Sequence, residues 1–176
     1  MDRVDHSRAE ARCHINAFLP FRQVRPFGPP FPGMAETDRE GIARAIDLLR
    51  QKTAGRIFAG GHSYGGRQAT MLVAEHPELV DGLLLLSYPL HPPRKPDQLR
   101  TAHFPRLTQP ALFVHGSRDP FGSPEEMRSA LELIPARHQL MEVDGAGHEL
   151  LSKKRAGGLP VQIVEAFQHF FSVRST

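Results

Sequence analysis

The chain has almost no cysteine, since Cys13 is the only one among its 176 residues. A disulfide within the chain is therefore excluded, and such scarcity is typical of a reducing compartment, so we expect a cytoplasmic protein. No apolar run is long enough to cross a bilayer, and we expect no association with a membrane. The first twelve residues are polar and lack the apolar centre of a secretory signal.

An excess of one sign of charge is also missing. Lysine and arginine number 22 against 19 acidic residues, which gives a net charge of +3. The basic residues are scattered apart from two short clusters, Arg94-Lys95 and Lys153-Lys154-Arg155, and we interpret these as solvated loop charges. We therefore expect no nucleic-acid partner. No two histidines have the spacing of a helical metal site, and we expect neither a metal ion nor another cofactor.

Segments with strand and helix patterns alternate from residue 14 to the end of the sequence. The predicted strands are 14–19, 56–60, 82–87, 111–115 and 139–143. The predicted helices run from a cap at Thr37 or Asp38 to Lys52, over 65–76, from Ser123 to Leu133, and from Leu159 to Ser172. The continuous apolar run 82–87 is typical of a strand covered on both faces. This alternation predicts an α/β fold with a mostly parallel sheet flanked by helices.

The pattern also predicts the domain organisation and the apolar helix faces. We expect residues 1–13 to be disordered or loosely attached, and residues 14–176 to form a single domain. Residues 20–33 and 88–110 are rich in proline and are predicted loops. The residues expected to face the core are Ile42, Ala45, Ile46 and Leu49 in the first helix, and Val161, Val164, Phe167, Phe170 and Phe171 in the last.

The most informative segment is GGHSYGG at residues 60–66. It lies between a predicted strand and a predicted helix, which is the context of a nucleophile elbow centred on Ser63. In such a turn the serine is strained and its hydroxyl projects clear of the backbone, while side chains at Gly61 and Gly65 would collide as strand and helix pack together. The alternative is a glycine-rich turn in which Ser63 merely caps the helix.

A nucleophilic serine needs a base, and the base needs an acid that orients it. Asp119 follows the predicted strand 111–115, and His148 follows the strand 139–143. Both therefore lie just beyond the carboxyl ends of parallel strands, where α/β sheets place their sites. Alternatively, Asp119 starts a turn before Pro120, or His148 is a surface residue. Asp144 competes with Asp119 as the acid, although it is close to His148 in sequence.

Four segments together resemble a group of small α/β-hydrolases, the dienelactone-hydrolase-like proteins related to the KANSL-subunit and testis-expressed hydrolase-like domains. They are GGHSYGGRQ at 60–68, LLLLSYPLH at 83–91, FVHGSRDPFG at 113–122 and GAGH at 145–148. The resemblance covers roughly residues 15–171, and LPFRQ at 19–23 is similar to a loop after an early strand of that group.

This resemblance implies an α/β-hydrolase fold without a large cap, and a catalytic triad of Ser63, Asp119 and His148. The chain order of nucleophile, acid and base is that of the superfamily. The resemblance further implies that the Tyr64 N–H binds the oxyanion, and we expect Tyr88 and His91 to border the pocket. Arg118 is either a surface charge, which we favour, or a contact for a substrate carboxylate. Dienelactone hydrolases use a cysteine nucleophile, so their lactone substrate is not carried over to a chain with serine.

The sequence departs from this group at its amino-terminal end. Members usually begin with further strands and a His-Gly-rich loop that donates the second oxyanion N–H, and nothing before His14 resembles that loop. We therefore expect an N-terminally truncated fold in which strand 14–19 forms an open sheet edge. Such an edge favours pairing with a second copy, so we expect a homodimer or a poorly soluble chain.

Taken together, these patterns predict a serine hydrolase that acts on a small-molecule acyl substrate, a carboxylic ester or a related acyl compound, through an acyl-enzyme intermediate. Two alternatives stay open. One is a catalytically weak or inactive scaffold that keeps the elbow for its architecture. The other is acyl transfer in place of hydrolysis, which the same residues would also support.

Overall fold

A computed structural model describes residues 35–150 and 158–172 of the chain. Several predictions lie outside these residues: the loose N-terminus, strand 14–19 with its open edge, the loop 20–33, and the solvated cluster Lys153-Lys154-Arg155. The described part forms one sheet with helices on both faces.

The sheet has four strands, all parallel, in the order β1-β2-β3-β4. Their bounds are Phe58–His62 (β1), Gly82–Leu86 (β2), Ala111–Gly116 (β3) and His138–Val143 (β4). The predicted parallel sheet is confirmed. Strand β1 begins and ends two residues later than the predicted 56–60, so its pairing with β2 continues through both glycines to the register pair His62–Leu86.

The core forms because alternate residues of β2 and β3 point to opposite faces of the sheet. Leu83, Leu85 and Phe113 are almost completely buried on the face covered by three helices. Burying each such side chain contributes about 1.5–3 kcal/mol to folding. On the other face Leu112 packs with Phe171 of the last helix. The apolar run that predicted a two-sided strand is thus buried on both sides.

Helices α1 (Ala35–Arg50) and α2 (Tyr64–Glu75) lie on one face of the sheet and contact each other. The predicted start of α1 at Thr37 or Asp38 is wrong, because both residues lie inside the helix. Asp38 is only 2% exposed, and it accepts a hydrogen bond from the hydroxyl of Tyr64. Asp38 therefore accepts a hydrogen bond inside the protein and does not cap the start of the helix.

Helices α3 (Pro124–Leu131) and α4 (Leu159–Ser172) follow β3 and β4. The predicted cap of α3 is present as a capping box, in which Ser123 and Glu126 each accept from the other's backbone N–H. The apolar face of α4 was predicted too widely, since Val161 and Val164 are 58% and 53% exposed. Burial is confined to the two ends of α4, where Leu159 packs near Val114 and where Phe170 and Phe171 pack against the sheet.

Close backbone contact joins β1 to α2. A Cβ at Gly66 would lie 2.7 Å from the carbonyl oxygen of Gly61, and one at Gly61 would lie 3.0 Å from the backbone of the helix. The expectation of a collision at Gly65 is wrong, since a Cβ there would have no neighbour within 4 Å. The tight contact therefore uses Gly61 and Gly66, and it fixes the helix start against the strand end.

Between β2 and β3 the chain makes a long excursion over α2. Within the described residues 87–110 this excursion contains one short 3₁₀ helix, Phe104–Arg106, and no helical cap. Phe104 is fully buried beside Tyr88 and Phe113. The described helices include none that is long and apolar enough to cross a membrane.

Candidate active site

Ser63 occupies the sharp turn between β1 and α2 with φ 52° and ψ −119°. This backbone region is costly for a residue with a side chain, and such strain is of order 1–3 kcal/mol. The serine N–H donates to the Leu86 carbonyl at 2.8 Å, which ties the turn to β2. Its side chain makes no capping hydrogen bond to α2. The hydroxyl is therefore not used as a helix cap, the alternative that the sequence left open.

Three side chains that are distant in sequence form one hydrogen-bonded chain at the carboxyl edge of the sheet. The Oγ of Ser63 lies 2.7 Å from Nε2 of His148. Nδ1 of the same imidazole lies 2.8 Å and 3.0 Å from the two carboxylate oxygens of Asp119. With Nδ1–H donating to the carboxylate, Nε2 carries the lone pair that accepts the serine proton.

The Asp119 carboxylate is completely shielded from solvent. Its Oδ1 accepts the Phe121 N–H at 2.9 Å. Behind it, Nε2–H of the buried His115 donates to the Gly122 carbonyl at 2.7 Å and lies 3.8 Å from the carboxylate. These contacts hold the 119–122 turn in one conformation, and that turn fixes the direction of the carboxylate.

Asp144, the competing acid, does not contact His148. It accepts a hydrogen bond from the Ser117 hydroxyl at 3.2 Å, and the same hydroxyl accepts the Gly145 N–H at 2.7 Å. Asp144 thus tightens the loop that precedes the histidine. Arg118 is exposed, as the surface interpretation expects.

Two further residues contact His148 that the sequence did not point to. Phe121 stacks on the imidazole with ring centroids 4.2 Å apart and an angle of 34° between the planes. His62 donates from Nε2 to the His148 carbonyl at 2.7 Å. The one signal in the sequence that could have identified His62 is its position directly before Ser63. Nothing in the sequence links Phe121 to a histidine 27 positions later.

Tyr64 is the first residue of α2, so its backbone N–H lies at the positive end of the helix beside Ser63. Its side chain is anchored below, where the hydroxyl donates to Oδ2 of Asp38 at 2.7 Å. Burial, followed by the hydrogen bond to Asp38, raises the pKa of the Tyr64 hydroxyl well above its usual range. The neutral phenol therefore stays a donor and holds the helix start against α1.

The two residues predicted to border the pocket are buried. Tyr88 is 1% exposed and packs in the core, with its hydroxyl donating to the Arg100 carbonyl at 2.7 Å. His91 is 5% exposed and lies 3.4 Å from the Glu126 carboxylate. The backbone N–H of His91 donates to the Phe121 carbonyl. This bond helps to hold Phe121, the residue that stacks on His148. The prediction of Tyr88 as a pocket residue is corrected to a core residue, because its ring fills the space between the sheet and the excursion.

His103 in the excursion offers a measurable pH effect. Burial, followed by the positive charges of Arg67 and Arg106, lowers its pKa from 6.5 to about 4. The unfolded chain therefore takes up this proton first, and the free energy of unfolding should fall as the pH drops from about 6.5 to about 4. Above this range the contribution is constant. Thermal denaturation between pH ~7 and ~4 should show the decline.

The matched variant for this pH effect is His103→Gln, whose side-chain amide can still reach the Thr70 hydroxyl that lies 2.8 Å from His103 Nε2. Its melting temperature should decline less steeply over the same range. Equal slopes in the two proteins would mean that His103 does not carry the effect.

Within residues 35–150 and 158–172, no group of three or more His, Cys, Asp or Glu side chains is placed to hold a metal ion.

Comparison with known proteins gives both a family and a fold. A family model described as an alpha/beta hydrolase domain matches residues 25–171. Dienelactone hydrolase from Anabaena variabilis is similar in structure, with TM-score 0.63, 20% identity, and coverage of 84% of this chain and 65% of that chain. An alpha-beta serine hydrolase homologue from Coxiella burnetii gives TM-score 0.63, 18% identity, and coverage of 83% and 65%.

A third similar structure is a CIB-like hydrolase from Thermoplasma acidophilum, with TM-score 0.54, 21% identity, and coverage of 76% of this chain. The chain spans 62% of that protein's length and 65% of the other two.

Proposed function

Since this chain belongs to the alpha/beta hydrolase domain family, we propose that it is a serine hydrolase that cleaves carboxylic esters or related acyl bonds. The observation that carries the proposal is the continuous chain of hydrogen bonds from Ser63 through His148 to the buried Asp119, with contacts of 2.7 Å and 2.8 Å. A surface histidine or a simple turn aspartate has no reason to be placed in this way. Nucleophile, base and orienting acid are thus in contact before substrate arrives.

In the first half of the reaction, Ser63 Oγ attacks the carbonyl carbon of the ester while His148 Nε2 takes the hydroxyl proton. The positive charge that forms on the imidazole is stabilised by the Asp119 carboxylate at Nδ1. The tetrahedral intermediate then collapses, the bond from carbon to the alcohol oxygen breaks, and Nε2–H protonates the departing alcohol. The product of this half is an acyl ester on Ser63.

In the second half, water attacks the acyl-enzyme and His148 accepts its proton. The second tetrahedral intermediate releases the carboxylic acid, and the proton returns from His148 to Ser63 Oγ. An alcohol or amine that replaces water would give acyl transfer by the same steps. We propose hydrolysis as the main outcome because Ser63 and His148 are partly open to solvent.

The oxyanion needs N–H donors, and we assign one of them to the backbone of Tyr64. The residue after the nucleophile supplies this donor in α/β-hydrolases. Here its position is supported by the Tyr64–Asp38 hydrogen bond and by the close contact of Gly61 with Gly66. A rigid helix start is what a preorganised donor requires.

A fluorophosphonate probe tests the proposal directly, because it reacts only with a serine that a base activates. We expect stoichiometric labelling, and peptide mapping should locate the adduct on Ser63. A denatured sample is the control and should not react. If the probe spreads over several serines or leaves Ser63 unmodified, the chain is a hydrolase-like scaffold and not a hydrolase.

A further inference from the structure

The charged side chain of Arg67 has no hydrogen-bond acceptor among the residues that the structure describes. Its Nε is buried and makes no hydrogen bond. Within the described ranges, the guanidinium also forms no ion pair within 4 Å. A fully exposed arginine needs no such partner, because water solvates its charge. An unpaired guanidinium that has lost part of its water is unfavourable, so this position is suited to binding an anion that comes from outside.

Arg67 lies next to the proposed nucleophile along α2. Residues 63, 67 and 70 share one stripe of the helix, since they are four and three positions apart. At the far end of the stripe, the Thr70 hydroxyl lies 2.8 Å from His103 Nε2 and bonds to the Arg67 carbonyl. Side chains on an α-helix tilt toward its amino terminus, and Ser63 stands at that end of α2. Arg67 thus lies between the serine and the contact that closes the stripe.

A second cation faces the same space from the excursion. Burial, followed by the charge of Arg67, lowers the pKa of Arg100. Its Nη1 donates only a long bond of 3.3 Å, to the Pro89 carbonyl. Among the residues that the structure describes, neither Arg67 nor Arg100 forms an ion pair with a carboxylate, and the charge of Arg67 also lowers the pKa of His103. Asp38 is engaged elsewhere, by the Tyr64 hydroxyl. Two arginines therefore face each other without a compensating acid.

The arginines lie on the acyl side of the site. His148 must be next to the departing alcohol, because it protonates that oxygen. Its described partners are Ser63, Asp119, Phe121 and His62. In the described sheet, His148 follows β4 at one edge, whereas Arg67 lies on α2, which follows β1 at the other edge. The alcohol and the arginines thus occupy different parts of the site, which leaves the acyl part to extend along α2.

We propose that Arg67, assisted by Arg100, binds an anionic group on the acyl part of the substrate. This inference rests on the proposed function and names its substrate class: esters whose acid carries a second negative group, a carboxylate or a phosphoryl group. Ser63 and Arg67 are one helical turn apart along α2, a rise of ~5 Å. That distance suits short acids with three or four carbons between the two groups.

The kinetic test uses monoethyl glutarate and its neutral isostere ethyl 5-methylhexanoate, with ethanol release as the readout. The folded protein should prefer the anionic ester, and Arg67→Gln should lower the ratio of kcat/KM for the anionic ester to kcat/KM for the neutral ester about 10- to 100-fold. Arg67→Lys should retain part of the preference, since a point charge replaces the planar fork. Ethyl 3-phosphonopropionate in the same assay separates a phosphoryl site from a carboxylate site.

The matched control is Arg118→Gln, which removes an exposed arginine from the loop that carries the acid. Its preference for the anionic ester should equal that of the parent. If Arg118→Gln lowers the preference and Arg67→Gln does not, the anion binds elsewhere and the inference is overturned. Equal rates for both esters in the parent protein overturn it as well.

A binding measurement separates this inference from the proposed function. Titration calorimetry of monoethyl glutarate into Ser63→Ala needs no turnover, and the added change Arg67→Gln should weaken binding at least about tenfold. Binding that depends on Arg67 in a chain that hydrolyses nothing would leave the anion site intact and refute the hydrolase. Ser63-dependent hydrolysis with binding unaffected by Arg67 would do the reverse.

Discussion

Ser63→Ala is expected to lower the rate of ester hydrolysis about 10⁴-fold or more while the protein stays folded. Among the residues that the structure describes, the only hydroxyl bonded to His148 belongs to Ser63, and none of them offers a substitute nucleophile for the covalent step. The fold should tolerate the change because the serine side chain makes no capping bond to α2. Alanine at φ 52° is about as strained as serine, so the turn gains no new strain. Initial rates with a 4-nitrophenyl ester, together with a melting curve, measure both parts.

The chain offers a matched control in Ser87, at the end of β2. Its φ is also positive, at 48°, and its hydroxyl is buried without a hydrogen-bond partner. Ser87→Ala removes an unsatisfied buried hydroxyl, so stability should hold or rise slightly and hydrolysis should continue. Comparable losses in the two variants would show that the effect of Ser63→Ala comes from the backbone and not from the nucleophile.

Asp119→Asn is the second change with a large expected effect, a loss of about 10⁴-fold in kcat by analogy with other Ser-His-Asp enzymes. An asparagine can donate from its NH₂ group to Nδ1 of His148. Nδ1 must then be unprotonated, because it accepts that hydrogen bond. The imidazole would be held in the tautomer whose Nε2 is already protonated and cannot act as a base. The amide oxygen can still accept the Phe121 N–H, so the turn should be retained.

Asp144→Asn is the comparison, because this residue was the competing acid in the sequence. It removes the negative charge that the Ser117 hydroxyl contacts and leaves the His148 imidazole untouched. We expect little change in kcat. Melting temperatures of both variants should stay near that of the parent. A reversed order, with Asp144→Asn the more damaging, would refute the assignment of the acid.

The strands and the family were readable from the sequence because apolar patterning and the elbow are local signals. The run 82–87 predicted a strand buried on both faces, and the sheet, the last helix and the resemblance to α/β-hydrolases are confirmed. The capping box at Ser123 is also local, since it needs only a residue three positions later. Such signals require no knowledge of the tertiary neighbours.

The errors arise where a neighbour distant in sequence decides. Asp38 fits the pattern of a helix cap, but the Tyr64 hydroxyl on another helix makes it a buried acceptor. Val161 and Val164 continue the apolar pattern of α4, yet the core covers the helix only at its first residue and over its last turns. Tyr88 follows a strand end as a site residue would, but packing against Phe104 and Phe113 buries it. Apolar periodicity identifies which face of a helix or strand is apolar. It does not identify the part of the protein that packs against that face.

The site shows the same division. Chain order and strand ends identify candidates for base and acid, whereas the choice between Asp119 and Asp144 depends on the turn at 119–122. That turn is held by the His115–Gly122 and Phe121–Asp119 hydrogen bonds, which no sequence spacing predicts. Phe121 and His62 were missed for the same reason, because their contacts with His148 exist only in the folded chain.

The sequential strand order β1-β2-β3-β4 has a consequence for biosynthesis. A chain made from its amino terminus can add each strand beside the previous one, so the sheet grows at one edge as translation proceeds. Ser63 is made early, Asp119 later, and His148 only after β4 is complete. The nascent polypeptide therefore carries Ser63 without the proposed base while residues 64–147 are made. Under the proposed mechanism, Ser63 would therefore become reactive only after the last strand has joined the sheet.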